Sequence, residues 1–191
     1  MTAFPPPRPP AVLSELLAAT ARLGFDQSCS HETGALLRAL AAAKPGGRCL
    51  NLGTGVGVSC AWLLDGMDTS AELVTVDIDP AVSAEAQRAL GGRATVVVED
   101  AATWLRRASA DGERFDLVFA DAVSGKYSER AHALDLVAAG GFYVVDDLHA
   151  GPDAEAPWRM PGDLIAALAA DARFVVITLD WDTGHAVAVR R

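Results

Sequence analysis

One stretch constrains this chain more than any other: Arg48-Cys-Leu-Asn-Leu-Gly53-Thr-Gly55-Val-Gly57-Val-Ser59. Leu50 and Leu52 supply the apolar positions of a short buried strand, and three glycines at alternate positions follow. Glycine reaches positive φ without a Cβ penalty, so the backbone can turn sharply there and come close to a ligand. A helix starting near Val58 would aim unpaired N–H groups and the positive end of its dipole into that turn. The stretch therefore predicts a strand, a tight glycine turn and a helix, with an anionic or polar ligand at the junction.

A second segment stands at a matching distance. Glu72-Leu-Val-Thr-Val-Asp77-Ile-Asp79-Pro80 reads as a buried strand that ends in acids, with Pro80 opening a helix. Asp77 lies where a carboxylate accepts hydrogen bonds from both ribose hydroxyls of a nucleoside held by the glycines. Asp79 suits an N-cap for a helix through Leu90. A dinucleotide fingerprint needs its third glycine three residues after the second, and Val58 occupies that place. The Gly-x-Gly-x-Gly that stands instead resembles motif I of the class I S-adenosylmethionine (AdoMet) methyltransferases. Asn51 departs from that family, which has an acidic residue two places before the first glycine.

The rest of the chain alternates strand with helix. Two helices come first, from about residue 12 to 23 and from 32 to 43, the second capped by Ser30 or His31. Strands are then expected at 48–52, 72–77, 94–99, 115–120 and 142–146. Helices follow them at 58–65, 80–90, 102–109, 128–138 and 161–170. Two closing strands, 174–179 and 185–190, are joined by Asp180-Trp-Asp-Thr-Gly184, which suits a hairpin. This alternation implies an α/β, doubly wound, mostly parallel sheet covered on both faces. The closing pair implies one antiparallel strand, an ending that resembles the seven-stranded methyltransferase sheet with extra N-terminal helices.

At 191 residues the chain suits one domain, expected over 11–191, after a proline-rich arm at 1–10. The arm lacks the apolar core of a signal peptide, and no apolar run reaches the length of a membrane span. Three cysteines, odd in number and without metal spacing, point to reduced thiols in a cytoplasmic protein. The formal charge of −9 disfavours nucleic acid as a partner and is compatible with a small neutral or cationic substrate.

Ligands of such sheets bind outside the carboxyl ends of the strands. Acids recur there, at Asp77, Glu99-Asp100, Asp121 and Asp146-Asp147. Val96-Val-Val-Glu99-Asp100-Ala101 resembles the methyltransferase segment that contacts adenine, which implies a side-chain role for Asp100 and a main-chain role for Ala101. Asp100 as a mere helix cap is the alternative. The resemblance as a whole implies a cofactor set of Gly53, Thr54, Gly55, Gly57, Ser59, Asp77, Asp100, Ala101 and Asp121.

Asp121-Ala-Val-Ser124-Gly-Lys126-Tyr127, with Gly140-Gly-Phe-Tyr-Val-Val-Asp146-Asp147, resembles the catechol O-methyltransferase-like branch of the bacterial enzymes. In that branch an Asp after the fourth strand and an Asp-Asn pair after the fifth hold a divalent cation. By position the ligands here would be Asp121, Asp146 and Asp147, with Mg²⁺ binding the acceptor oxygens. The pair is Asp-Asp here, and the branch's lysine three residues after the first Asp is Ser124. Lys126 reaches the same space from a differently shaped loop or lies on the surface. Without a metal the crowded acids would act as a proton acceptor instead. The catalytic candidates are therefore Asp121, Lys126 and His149, while His31, His132 and His185 have no supporting neighbours. The long loop carrying Trp158 is a candidate cover for the acceptor.

The resemblance implies an AdoMet-dependent methyltransferase acting on the oxygen of a small molecule. The Asn/Asp-Pro-Pro-aromatic motif of nucleic-acid and glutamine N-methyltransferases is absent after the fourth strand. Two alternatives stand beside it: an AdoMet-binding protein without transfer activity, and a nicotinamide-dependent reductase. The apolar surplus of the N-terminal helices predicts a homodimer.

Overall fold

In the computed structural model, residues 6–149 and 160–191 are described. Strand β1 (Arg48–Leu52) lies in the interior of one sheet, with β2 (Glu72–Asp77) on one side and β4 (Phe115–Ala120) on the other, both parallel to it. The sheet runs β3-β2-β1-β4-β5-β7-β6, with β3 at Ala94–Val98, β5 at Val137–Val145, β6 at Phe174–Leu179 and β7 at His185–Arg190. Strand β7 is antiparallel to both of its neighbours. The expected seven-stranded sheet with one reversed strand is the sheet observed.

Strand periodicity sorts the core into two layers. Cys49, Leu73, Leu117, Phe119 and Val144 point to the side covered by α1 (Leu13–Leu23), α2 (His31–Ala42), α3 (Val58–Gly66) and α4 (Pro80–Leu90). Leu50, Leu52, Val118, Tyr143 and Val145 point to the other side, against α5 (Ala101–Ala110), α7 (Arg130–Asp135) and α8 (Pro161–Ala170). Caps fall where the sequence puts them. The Ser30 hydroxyl accepts from the Thr33 N–H, and the Asp79 carboxylate accepts from the Ala81 N–H.

One stretch differs from expectation. In place of a helix over 128–138, the chain makes a kinked turn α6 (Val123–Lys126), the short α7, and then enters β5 at Val137. Leu134, Leu136 and Val137 all face the second core layer. Gly140, at φ +71°, lies inside the strand, where the β4–β5 register shifts between Phe115 and Leu117. The two glycines mark an irregularity in a long strand and not its start.

The chain winds outward in opposite directions from β1 and β4, so the crevice between their carboxyl ends is the topological switch point. Hydrogen bonds from Gly53 N–H to Val76 O and from Asp121 N–H to Leu52 O extend the ladder to its lip. The loop residues 150–159, including Trp158, and residues 1–5 of the arm lie outside the described residues. Among the described residues no helix is long and apolar enough to cross a membrane.

Candidate active site

A cleft of about 1200 Å³ opens at that switch point. It is lined along one half by the turn after β1, Asp77, Asp100 and Ala101, and along the other by Asp121, Lys126, Asp146, Asp147 and His149. That volume is at the upper end of what small-molecule sites occupy, and suits two ligands side by side.

The first half is built on the glycine turn. Asp77 Oδ2 accepts from Gly55 N–H at 2.8 Å and Oδ1 from Asp79 N–H at 3.0 Å. The carboxylate is thus fixed by backbone donors, and each oxygen retains capacity for one more donor from a ligand. Gly57 does not line the cleft. Its φ is +100°, and a Cβ there would sit 3.1 Å from Ala86 Cβ on α4, so it is glycine for the sake of helix packing. Phe25, from the loop between α1 and α2, lies over Gly55 and lines the cleft.

Asn51 carries no charge into this half. It is wholly buried, donating to Gly53 O and to Thr75 Oγ1, each at 2.9 Å, and accepting from Ser59 Oγ at 3.3 Å. Thr54 Oγ1 joins the same network through Thr75 at 2.7 Å. Asp100 does two things at once: it caps α5 by accepting from the Thr103 N–H and hydroxyl, each at 2.9 Å, and it lines the cleft. Those hydrogen bonds hold its pKa below the ordinary carboxylate value. Glu99 is turned away in a bidentate pair with Arg107.

The second half gathers charge. Lys126 is 6% exposed and its Nζ lies 3.6 Å from Asp121 Oδ1. Ser124 does stand where a lysine three residues after Asp121 would be, but the turn that follows compensates. Gly125 takes φ +100°, its carbonyl accepts the Tyr143 hydroxyl, and the chain feeds Lys126 inward. A Cβ on Gly125 would lie 2.4 Å from Leu52 Cδ1. Burial pushes the Asp121 carboxyl up to about 7, with Lys126 pulling it down and Asp146 and Asp147 pushing it further up. Asp147 adopts φ +56°, an uncommon conformation for a residue with a side chain, of the kind that clusters at functional sites.

Asp146 is 2% exposed and its Oδ1 already has three donors. These are the Asp147 N–H at 2.7 Å, the Thr183 hydroxyl, and His185 Nε2 at 3.0 Å. His185, wholly buried at the start of β7, also touches Thr33 Oγ1 at 2.8 Å. Burial raises the Asp146 pKa, but hydrogen bonds from His185 and Thr183 hold it below the usual carboxylate value. Burial pulls His185 down, but the bond to Asp146 and that carboxylate's charge hold it above its ordinary value. His149 lines the cleft, with Nε2 at 2.8 Å from Asp180 Oδ1 and Nδ1 at 3.0 Å from Asp182 O.

The expected dication fits this arrangement poorly. Asp146 Oδ1 is taken up by three donors, which leaves only Oδ2 for a cation, and Asp121 already faces an ammonium. Among the described residues no group of three His, Cys, Asp or Glu side chains is arranged to hold a metal ion. Sequence reasoning missed His185 and Thr183. The signal available was a histidine opening an apolar alternation, which requires a buried polar partner for its ring.

A family model described as a methyltransferase domain matches residues 50–148. A Mycobacterium tuberculosis H37Rv protein, provisionally named an O-methyltransferase, is 32% identical over 169 residues, covering 82% of this chain and 75% of its own. A relative with the same provisional name from Mycobacterium avium is 31% identical over 190 residues, covering 92% and 85%. Among solved structures, the Bacillus cereus O-methyltransferase in complex with SAH superposes with a TM-score of 0.84 at 22% identity, covering 97% of this chain and 92% of that one. TomG from Streptomyces achromogenes, an O-methyltransferase of tomaymycin synthesis in complex with SAM, also gives 0.84, at 23% identity and 96% and 91% coverage.

Proposed function

The chain belongs to the class I AdoMet-dependent O-methyltransferases, and from that membership we propose how its own residues divide the work on a small-molecule hydroxyl. AdoMet lies along the first half of the cleft. Its ribose hydroxyls meet Asp77, its adenine meets Asp100 and the Ala101 N–H, and its methionine end crosses the glycine turn over Thr54 and Ser59 towards Asp121. The observation that carries this reading is the Asp77–Gly55 hydrogen bond, which fixes the acid at the end of β2 against the glycine turn.

The acceptor lies in the second half. Its hydroxyl gives its proton to the Asp121 carboxylate, whose raised pKa makes it a better base near neutrality. An oxygen lone pair then forms the C–O bond while the C–S bond breaks, its electron pair returning to sulfur. The products are the methyl ether, S-adenosylhomocysteine and a protonated Asp121. Alignment of oxygen, methyl carbon and sulfur carries much of the acceleration, since fixed geometry alone is worth several kcal/mol, about 7–11 in well-oriented systems. His149 is not the base in this reading, because both of its ring nitrogens face acceptors on the β6–β7 hairpin.

Mg²⁺ has no step here, because the Lys126 ammonium already stands beside Asp121. A homodimer through α1 is supported by Leu17 and Leu23, both more than two-fifths exposed, and light scattering tests it. The three cysteines are unbridged, in keeping with a cytoplasmic setting. Calorimetry tests the cofactor assignment: Asp77→Ala is expected to weaken AdoMet binding at least tenfold, about 1.4 kcal/mol. Unchanged affinity would remove Asp77 from the site.

A further inference from the structure

Three acids and one ammonium converge where β4 and β5 end, and the way the acids are bonded decides what cation works there. Asp146 Oδ1 is saturated by the Asp147 N–H, the Thr183 hydroxyl and His185. Asp121 has the Lys126 ammonium within 3.6 Å. We propose that Lys126 is the resident cation of the acceptor half-site, supplying beside Asp121 the positive charge that a divalent metal would otherwise bring. The proposal deepens the transferase reading and rests on it.

The loop geometry supports the role of Lys126. The left-handed Gly125 turn is wedged against Leu52 and tied to β5 through Tyr143, so the lysine stem is carried into the cleft by rigid elements. Its side chain is 7% exposed, so the ammonium has little water to lean on and faces carboxylate and cleft instead. A positive charge held in a water-poor site stabilises a developing oxyanion far better than the same charge on the surface. It also neutralises Asp121, the acid closest to it, much as a dication would.

His185 is placed independently of that loop. It reaches Asp146 from the antiparallel β7, and Thr33 on α2 holds the other side of the same ring nitrogen. A carboxylate and a hydroxyl oxygen can both accept, so Nε2 carries a hydrogen and shares it between them. This fixes the orientation of Asp146 through its Oδ1.

The choice of cation has a consequence for the substrate. A dication with open octahedral positions chelates two neighbouring oxygens of one acceptor. An ammonium is a point charge with three donors and needs a single oxygen. The acceptor class that follows is a molecule with one acidic hydroxyl, a phenol or enol, without need of a second oxygen beside it.

The test is a calorimetric titration of MgCl₂ into protein saturated with S-adenosylhomocysteine, for wild type, Lys126→Met and Lys126→Arg. Wild type and Lys126→Arg are expected to give no saturable heat below about 1 mM, roughly 4 kcal/mol of binding free energy. Lys126→Met is expected to bind Mg²⁺ saturably and at least tenfold more tightly than that limit, a gain that removal of a purely structural residue would not confer. Saturable wild-type binding below that limit overturns the proposal, as does a folded Lys126→Met that stays silent. If Lys126→Met does not fold, the wild-type and Lys126→Arg titrations decide alone. Failure of wild type to bind S-adenosylhomocysteine would instead sink the transferase reading, and it is read in the same cell before any metal is added.

Discussion

His185 Nε2 lies 3.0 Å from Asp146 Oδ1, and neither side chain is more than 2% exposed. A pair buried this deeply is costly to break by removing one partner, because the other is left without its counterpart. His185→Leu is expected to lower the unfolding free energy by about 3 kcal/mol, measured by urea denaturation near pH 6. A loss under about 1 kcal/mol would mean that Thr183 and the Asp147 N–H hold Asp146 without the imidazole.

The same pair sets a pH window. The His185 pKa is raised in the folded state, so its contribution is complete below about 6.5 and disappears as pH rises through the folded value. The Asp146 pKa is lowered, so its contribution is complete above about 3.8 and disappears only as pH falls through a still lower value. The stability gap between wild type and His185→Leu should therefore be wider at about pH 6 than at about pH 9. A gap that widens with pH would contradict the assignment.

Asn51→Asp restores the acid that the motif resemblance leads one to expect, and it should not restore stability. The Asn51 amide donates to Gly53 O and Thr75 Oγ1 in a wholly buried network. A carboxylate can only accept, so it leaves the Gly53 carbonyl unanswered and buries a charge. A loss of about 1–3 kcal/mol is expected by chemical denaturation. An equal or more stable variant would show that the network reorganises freely.

Gly125→Ala examines the turn that delivers Lys126. Alanine at φ +100° is strained, and its Cβ would press on Leu52 Cδ1. A stability loss of about 1–3 kcal/mol is expected. Catalytic turnover should fall more than AdoMet affinity does, since the glycine turn after β1 is built from other residues. Parallel loss of both would mean that the two halves of the cleft are not separable.

The sheet and the residues that line the first half of the cleft were legible because their signals are local. The glycine spacing, the acid ending β2 and the caps Ser30 and Asp79 each lie within a few residues of what they organise. The region after β4 was less so. A helix over 128–138 was expected, but pairing with Phe115 of β4 takes Val137 into β5. His185 was illegible for a different reason. Its partners, Thr33 and Asp146, are far away in sequence, and only the reversal of β7 brings the three together.

That reversal also ties the chemistry to the order in which the chain is made. The nucleoside half of the cleft uses β1, β2 and the start of α5, all complete before the ribosome has reached β4. Asp146 receives two of its three donors, Thr183 and His185, from the hairpin entering the last strand of the sheet. A nascent chain could therefore hold its methyl donor well before it has a place for anything to be methylated.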